Sequence, residues 1–162
     1  MSDRYVATVA VHVLAALVWL GGMMFFAVLA PVLRRVPDDA TRAALFQAVG
    51  RRFRLVGWIC VGVLLITGLE QLRLRGWWGS GFWNAEVIFG TSVGTRLSWK
   101  LGLVAAIVGV QAFHDFWIGP RAGRAAPGSP EARALRARAA LLARLSALLG
   151  VALVYAAVRL GR

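Results

Sequence analysis

The sequence contains few side chains that could bind a soft metal ion, and these lie far apart along the chain. Imidazole nitrogen and the sulfur of a thiol or thioether suit copper, whereas carboxylate oxygen and water suit magnesium and calcium. The candidate metal ligands are His12, Met23, Met24, Cys60 and His114. No CxxC or MxxxM spacing joins them, which favours the alternative that the Met and Cys side chains are ordinary core fillers.

A second set of polar residues is conspicuous because apolar sequence surrounds it. An ionisable side chain within a membrane span costs a few kcal/mol and is a candidate functional group for that reason. We therefore take four residues as candidates for binding a cofactor: His12, Glu70, Lys100 and Tyr155.

The elements that carry these residues are long apolar blocks. The 162 residues are 59% hydrophobic, with a mean hydropathy of +0.68, and a helix needs ~20 apolar residues to cross a bilayer. The sequence predicts an all-α membrane protein, with one four-helix domain over residues 1–162. The predicted transmembrane helices are roughly 5–33, 53–72, 97–118 and 130–160.

Counting from the helix centres at ~1.5 Å per residue gives each polar group a depth. His12, Glu70 and Lys100 each fall roughly 11 Å from the midplane on the same side, and Tyr155 is somewhat shallower. Equal depth predicts one shared pocket. The alternatives are a purely structural Glu70–Lys100 pair, a Lys100 side chain that snorkels to the headgroups, and a His12 ring bonded to a neighbouring helix.

His114 lies at the opposite end of its helix, roughly 20 Å from His12 along the membrane normal. Two ligands of one metal must each lie ~2 Å from it, so the two histidines of one chain cannot ligate the same haem or copper. Met23, Met24 and Cys60 fall near the midplane. The histidines and these sulfur atoms could form a ladder for Cu(I), unless the sulfur side chains are ordinary core fillers.

Charge predicts the orientation. The net charge is +12, and most of the 19 basic residues flank the helices. Twelve lie in the segments 34–54 and 121–144, which makes that side cytoplasmic by the positive-inside rule and both termini extracytoplasmic. We expect a multi-pass protein of the inner membrane. Its basic residues then reflect topology in a lipid bilayer and do not indicate nucleic-acid binding.

The loops carry their own signals. The segment after the first helix predicts a short amphipathic helix on the headgroups, capped by Asp38 or Asp39. Residues 119–130 are rich in Gly and Pro and predict a linker, with Ser129 as the N-cap of the last helix. Aromatic residues in the remaining loop are expected at the lipid interface: Trp77, Trp78, Phe82 and Trp83.

Three stretches resemble the CopD family, the copper-resistance D membrane domain. They are HVLAALVWLGGMMF, RRFRLVGWICVGVLLITGLEQL and TRLSWKLGLVAAIVGVQAFHDFWIGPR. The most specific features are the spacing of His12, Trp19 and Gly21 and the run from Lys100 to His114. This resemblance implies an inner-membrane protein linked to copper uptake or tolerance.

A more distant resemblance is to HemJ-type protoporphyrinogen oxidases, which are four-helix haem proteins. It implies haem b as the alternative cofactor, with His12 as its ligand and Lys100 as a substrate or propionate partner. The chain would then be a haem-dependent membrane oxidoreductase. The CopD resemblance is nearer and favours a protein that is not an enzyme.

No catalytic residue is predicted, because the sequence has no Ser/His/Asp triad, phosphate-binding loop or metal-hydrolase motif. A third possibility is an accessory subunit of a larger membrane complex, or a homo-oligomer. Glycines that permit close helix approach suit that interpretation: Gly57, Gly62, Gly68, Gly90, Gly94, Gly102 and Gly109.

Overall fold

The fold is an all-helical bundle, as predicted. The computed structural model describes residues 2–79, 81 and 83–161, and no β-strand occurs among them. The helices are α1 (Asp3–Leu33), α2 (Asp39–Leu74), α3 (Ala85–Gly90), α4 (Ser92–Phe113), α5 (Gly119–Arg124) and α6 (Pro130–Gly161). A π-helical segment, His114–Ile118, joins α4 to α5 without a break in the helical rod.

The four long helical rods form two hairpins. Helix α1 packs against α2 and α4 packs against α6, while α1 and α6 bring the hairpins together. We call the end of the bundle where α1 begins and α6 ends the terminal face. The opposite end, which carries the turn between α1 and α2 and the segment between α4 and α6, is the loop face.

Most of the apolar surface points outward. Four helical rods are long and apolar enough to cross a membrane, and at most 17% of the most apolar part of each is buried inside the protein. Val28 is 70% exposed and Phe25 is 63% exposed. Lipid tails would cover such side chains in a bilayer. The chain is therefore a multi-pass membrane protein.

A small core at mid-bundle joins the hairpins. Trp19, Cys60, Val61 and Ile107 are buried together there, and Met23 packs against them. These residues come from α1, α2 and α4, so the cluster holds three of the four long helices at one level.

Helix α2 begins earlier than the sequence predicts. Asp38 is the N-cap, with its Oδ2 accepting a hydrogen bond of 2.7 Å from the Thr41 amide. The helix then runs unbroken into the membrane span, so the separate headgroup helix is not formed. Its first turns pack instead on the end of α1, where the ring centroids of Phe26 and Phe46 are 6.4 Å apart.

The linker on the loop face is shorter than predicted. Helix α5 extends to Arg124, because Pro120 occupies the first turn, where its missing N–H is tolerated. The Gln47 side chain also donates to the Gly123 carbonyl and ties α5 to α2. The predicted cap of α6 is confirmed, since the Ser129 hydroxyl accepts a hydrogen bond of 3.1 Å from the Ala132 amide.

Candidate functional site

His12 faces the bundle from α1 and is held by α2. Its Nδ1 lies 2.7 Å from the Thr67 hydroxyl oxygen. That hydroxyl donates its hydrogen to the Val63 carbonyl at 2.6 Å, so towards the imidazole it acts as the acceptor. In the neutral ring the proton is therefore on Nδ1, and Nε2 carries the lone pair. The Leu64 carbonyl lies beside the same ring as a further acceptor.

This arrangement resembles the outer support of a metal ligand. A histidine that binds metal through one nitrogen usually donates its other N–H to an oxygen, which fixes the tautomer and the ring orientation. Within the described part of the chain, Nε2 of His12 has no hydrogen-bond partner. A Cβ atom at Gly68 would lie 3.7 Å from Cε1 of the ring, so this glycine sits directly against the imidazole.

The structure brings Lys100 towards His12. The Lys100 ammonium is within electrostatic range of His12 and of Arg75. The side chain is half-buried, and no carboxylate of the described residues forms an ion pair with it. The charge of the basic residues near His12 is therefore positive, and a pocket shared by His12 and Lys100 stays a prediction.

Glu70 has other partners. Its carboxylate oxygens lie 2.7 Å from an Arg4 nitrogen and 3.1 Å from an Arg73 nitrogen. The contact with Arg4 is close enough for an ion pair but does not have hydrogen-bond angles. The pairing of Glu70 with Lys100 is therefore not formed. Tyr155 lies at a similar height, but its side chain is 67% exposed and points away from the bundle interior.

A buried polar pair lies in the middle of the bundle. The indole Nε1 of Trp19 donates to Gln111 Oε1 at 3.0 Å. Gly57 makes room for this pair, because a Cβ atom there would lie 3.2 Å from Gln111 Nε2. Cys60 and Met23 pack at the same level, in the core that contains Trp19. The two sulfur atoms thus belong to a single layer.

Met24 lies apart from that layer. It is 43% exposed and lines an apolar groove between α1 and α6, together with Arg144 and Leu148. Of the three predicted sulfur ligands, only Met23 and Cys60 are together in the core.

A second anchored imidazole lies near the loop face. Nδ1 of His114 is 2.8 Å from Asp115 Oδ1, and Asp115 Oδ2 accepts a hydrogen bond of 2.9 Å from the indole of Trp58. Arg54 donates to the Asp115 backbone carbonyl at 3.0 Å. An ionised carboxylate only accepts hydrogen bonds, so Nδ1 of His114 carries the proton. In the neutral ring Nε2 is again the free nitrogen.

The π-helical segment carries this second cluster. His114 and Asp115 are its first two residues, and single π turns inside α-helices are frequent at functional sites. Asp115 contacts both Trp58 on α2 and its own neighbour, His114.

Four contributing residues were not predicted: Arg54, Trp58, Thr67 and Gln111. Thr67 and Gln111 are uncharged polar side chains inside apolar spans, and that was an available signal. Their hydrogen bonds to His12 and Trp19 depend on how the helices are rotated, which depth counting does not provide.

The candidate metal ligands lie in separate small groups. Within residues 2–79, 81 and 83–161, no three His, Cys, Asp or Glu side chains converge as a ready metal site. The donors present suit a soft cation that is bound weakly and released. His12 lines neither of the two apolar grooves described beside the helices.

Comparison with known proteins agrees with the fold and the resemblance. The family model described as "Copper resistance protein D" matches residues 47–160, from α2 to α6. A protein of Aquifex aeolicus (strain VF5), described as "Uncharacterized protein", is 34% identical over 113 residues, which is 68% of this chain and 68% of that protein. No solved structure matches.

The family match begins after α1, so His12 and Trp19 lie outside the matched range. The matched range includes Thr67, Lys100 and His114, and it covers more than half of the sequence. The chain belongs to the CopD family of copper-resistance membrane proteins.

Proposed function

We propose that this protein passes Cu(I) across the inner membrane, using its two imidazoles as separate weak sites at the two ends of the bundle. The observation that carries the proposal is the shared state of His12 and His114. Each donates Nδ1–H to an oxygen of a neighbouring side chain and leaves Nε2 free. The chain has two histidines, and both have this arrangement.

Copper is the cargo that the donors favour. Cu(I) binds soft thiol and thioether sulfur, and imidazole also binds copper. A bare cation cannot cross ~30 Å of hydrocarbon without intermediate sites, because its desolvation there is too costly. The layer of Met23 and Cys60 supplies sulfur donors between the two rings.

The weakness of each site supports transfer over storage. Conduction requires that an ion enter a site favourably and also leave it. Sites with one imidazole, or with a thiol and a thioether, meet that requirement better than a closed cage of four ligands. We propose that the buried Trp19–Gln111 pair lies across this path and separates when an ion passes.

The charge distribution supports an orientation of the bundle in the membrane. We propose that the terminal face is extracytoplasmic, because most basic residues flank the loop face. His12 would then receive Cu(I) from outside, and His114 would deliver it to the cytoplasm. The same path in reverse would export copper, and a vesicle assay distinguishes the two directions.

The test is Cu(I) uptake by vesicles containing the purified protein, with a Cu(I)-selective indicator inside. His12→Ala and His114→Ala should each reduce the initial rate by at least about ten-fold, since even loss of outer support costs a metal site that much. Tyr155→Phe and Met24→Leu are matched controls and should retain the rate. Equal rates in empty vesicles and in vesicles with the wild-type protein would refute the proposal.

The same preparation tests the haem alternative. The purified protein should have no Soret absorption band. A band that His12→Ala removes and His114→Ala retains would replace copper transfer by a haem function at His12.

A further inference from the structure

An apolar groove runs along the bundle between α2 and α4, near the terminal face. Its volume is about 390 Å³, and its walls are Leu69 and Leu72 from α2, Leu101 from α4, and Trp78 and Trp83 from the loop between them. The groove is open at the protein surface, on the side that lipid covers. Its shape and lining suit an extended hydrocarbon chain.

A basic residue that has no ion pair among the described residues adjoins the wall of this groove in sequence. Lys100 precedes Leu101 on α4 and is half-buried. The Arg75 guanidinium acts on it electrostatically and is also positive. Glu70, the carboxylate of the neighbouring turn of α2, is occupied by Arg4 and Arg73. An ammonium within a membrane bundle is costly unless an anion accompanies it.

Arg75 lies near the terminal face and contacts two aromatic side chains. Its Nε donates to the Tyr5 hydroxyl at 3.0 Å, and its guanidinium carbon lies 5.1 Å from the centroid of the Trp77 ring. Both contacts are to uncharged groups, so the charge of Arg75 is also not neutralised by a carboxylate of the described residues. Both basic residues adjoin the groove in sequence, since Lys100 precedes Leu101 and Arg75 lies between Leu72 and Trp78.

We propose that this groove binds one anionic phospholipid, with an acyl chain along the leucines and the phosphate between Lys100 and Arg75. Basic pockets beside transmembrane helices recognise anionic headgroups. Tryptophans are the residues expected at the depth of the glycerol and headgroups, where Trp78 and Trp83 would lie. Charge complementarity selects an anionic lipid over a zwitterionic one.

The proposal does not depend on copper transfer, since it rests on the groove and on the unpaired cations. It has a consequence for His12, however. Lys100 is within electrostatic range of that ring and opposes binding of a cation there. A phosphate beside Lys100 would reduce the local positive charge.

The test measures retention of phosphatidylglycerol and phosphatidylcholine by the purified protein, in neutral detergent, by native mass spectrometry. The wild-type chain should retain one phosphatidylglycerol in preference to phosphatidylcholine. Lys100→Gln should weaken this preference about five-fold, the effect expected of one interfacial cation. Arg35→Gln removes an exposed charge from the loop face and should leave the preference unchanged.

A variant that fills the groove is a second test of lipid binding. It also tests the proposal if Lys100→Gln does not fold. Leu101 is 38% exposed, so Leu101→Phe fills the groove from the lipid side and should reduce lipid retention while the charges remain. Equal retention of both lipids by the wild type would overturn the proposal. So would retention of inorganic phosphate equal to that of phosphatidylglycerol, because the groove would then have no part in binding.

Discussion

At the scale of single residues, the support of each imidazole matters as much as the imidazole itself. His12 relies on a hydroxyl whose own hydrogen is committed to a carbonyl of α2. His114 relies on a carboxylate shared with an indole. In both cases the supporting group determines which nitrogen is available, so its removal should alter copper binding without removing a ligand.

Thr67→Val tests this directly. Valine keeps the branched shape but removes the acceptor of the Nδ1–H bond, so the ring loses its fixed tautomer. We expect the Cu(I) affinity attributable to His12 to fall about 10–100-fold, the usual effect of losing an outer partner. Competition with a chromogenic Cu(I) chelator measures it. Thr67→Ser retains the hydroxyl and should bind nearly as the wild type does, whereas equal loss in both variants would contradict the proposed role.

The depth of each polar residue in the membrane could be predicted from the sequence. The rotation of each helix about its axis, which decides where the side chain points, could not. Hydropathy placed His12 and Lys100 at matching heights, and the two are electrostatic neighbours. Tyr155 has a similar height, yet its side chain is 67% exposed. Glu70 pairs with Arg73 one turn further along its own helix, a local contact that counting depths between helices overlooked.

At the scale of elements, the long apolar helices were predictable and their extensions were not. Residues 39–52 are too basic to register as part of a span, but α2 contains them because Asp38 caps the helix and Phe46 packs on α1. The π-helical segment at His114 has no signature that hydropathy detects. Asp115 in this segment contacts both His114 and Trp58.

The contact between α1, α2 and α4 depends on a missing side chain. Gly57→Val would place atoms against Gln111, whose Nε2 is 3.2 Å from the position of a Cβ atom. We expect a loss of about 1–3 kcal/mol in the free energy of unfolding, from overpacking and from disruption of the Trp19–Gln111 hydrogen bond. Denaturation in mixed micelles measures it.

Gly62→Val is the matched control for that variant. Gly62 lies on the same helix, and a Cβ atom there would meet nothing within 4 Å. The free energy of unfolding of the Gly62→Val variant should stay near that of the wild type. Equal destabilisation by the two substitutions would show that the loss comes from glycine replacement in α2 and not from the polar pair.

At the scale of the whole molecule, the bundle has two ends with different chemistry. The terminal face combines one anchored imidazole with unpaired cations and an apolar groove. The loop face combines the other imidazole with a carboxylate and a basic flank. This difference between the two ends suits a carrier that meets different partners on the two sides of the membrane.

Orientation in the membrane is a prediction of its own. Both termini should lie outside the cytoplasm, because the loop face carries more of the basic residues. Alkaline phosphatase fused after Arg162 should be active, since this reporter folds only outside the cytoplasm, and a fused cytoplasmic reporter should be inactive. The opposite result would exchange the entry and exit roles proposed for His12 and His114.

The most direct test of the account is Cu(I) titration of the purified protein under anaerobic conditions, for the wild type, each histidine variant and the double variant. If the imidazoles are independent sites, His12→Ala and His114→Ala should each remove one bound Cu(I) per chain and leave the other histidine site intact. The double variant should lose both of these sites. Unchanged binding in the double variant, or loss of both sites on substitution of either histidine alone, would contradict the account.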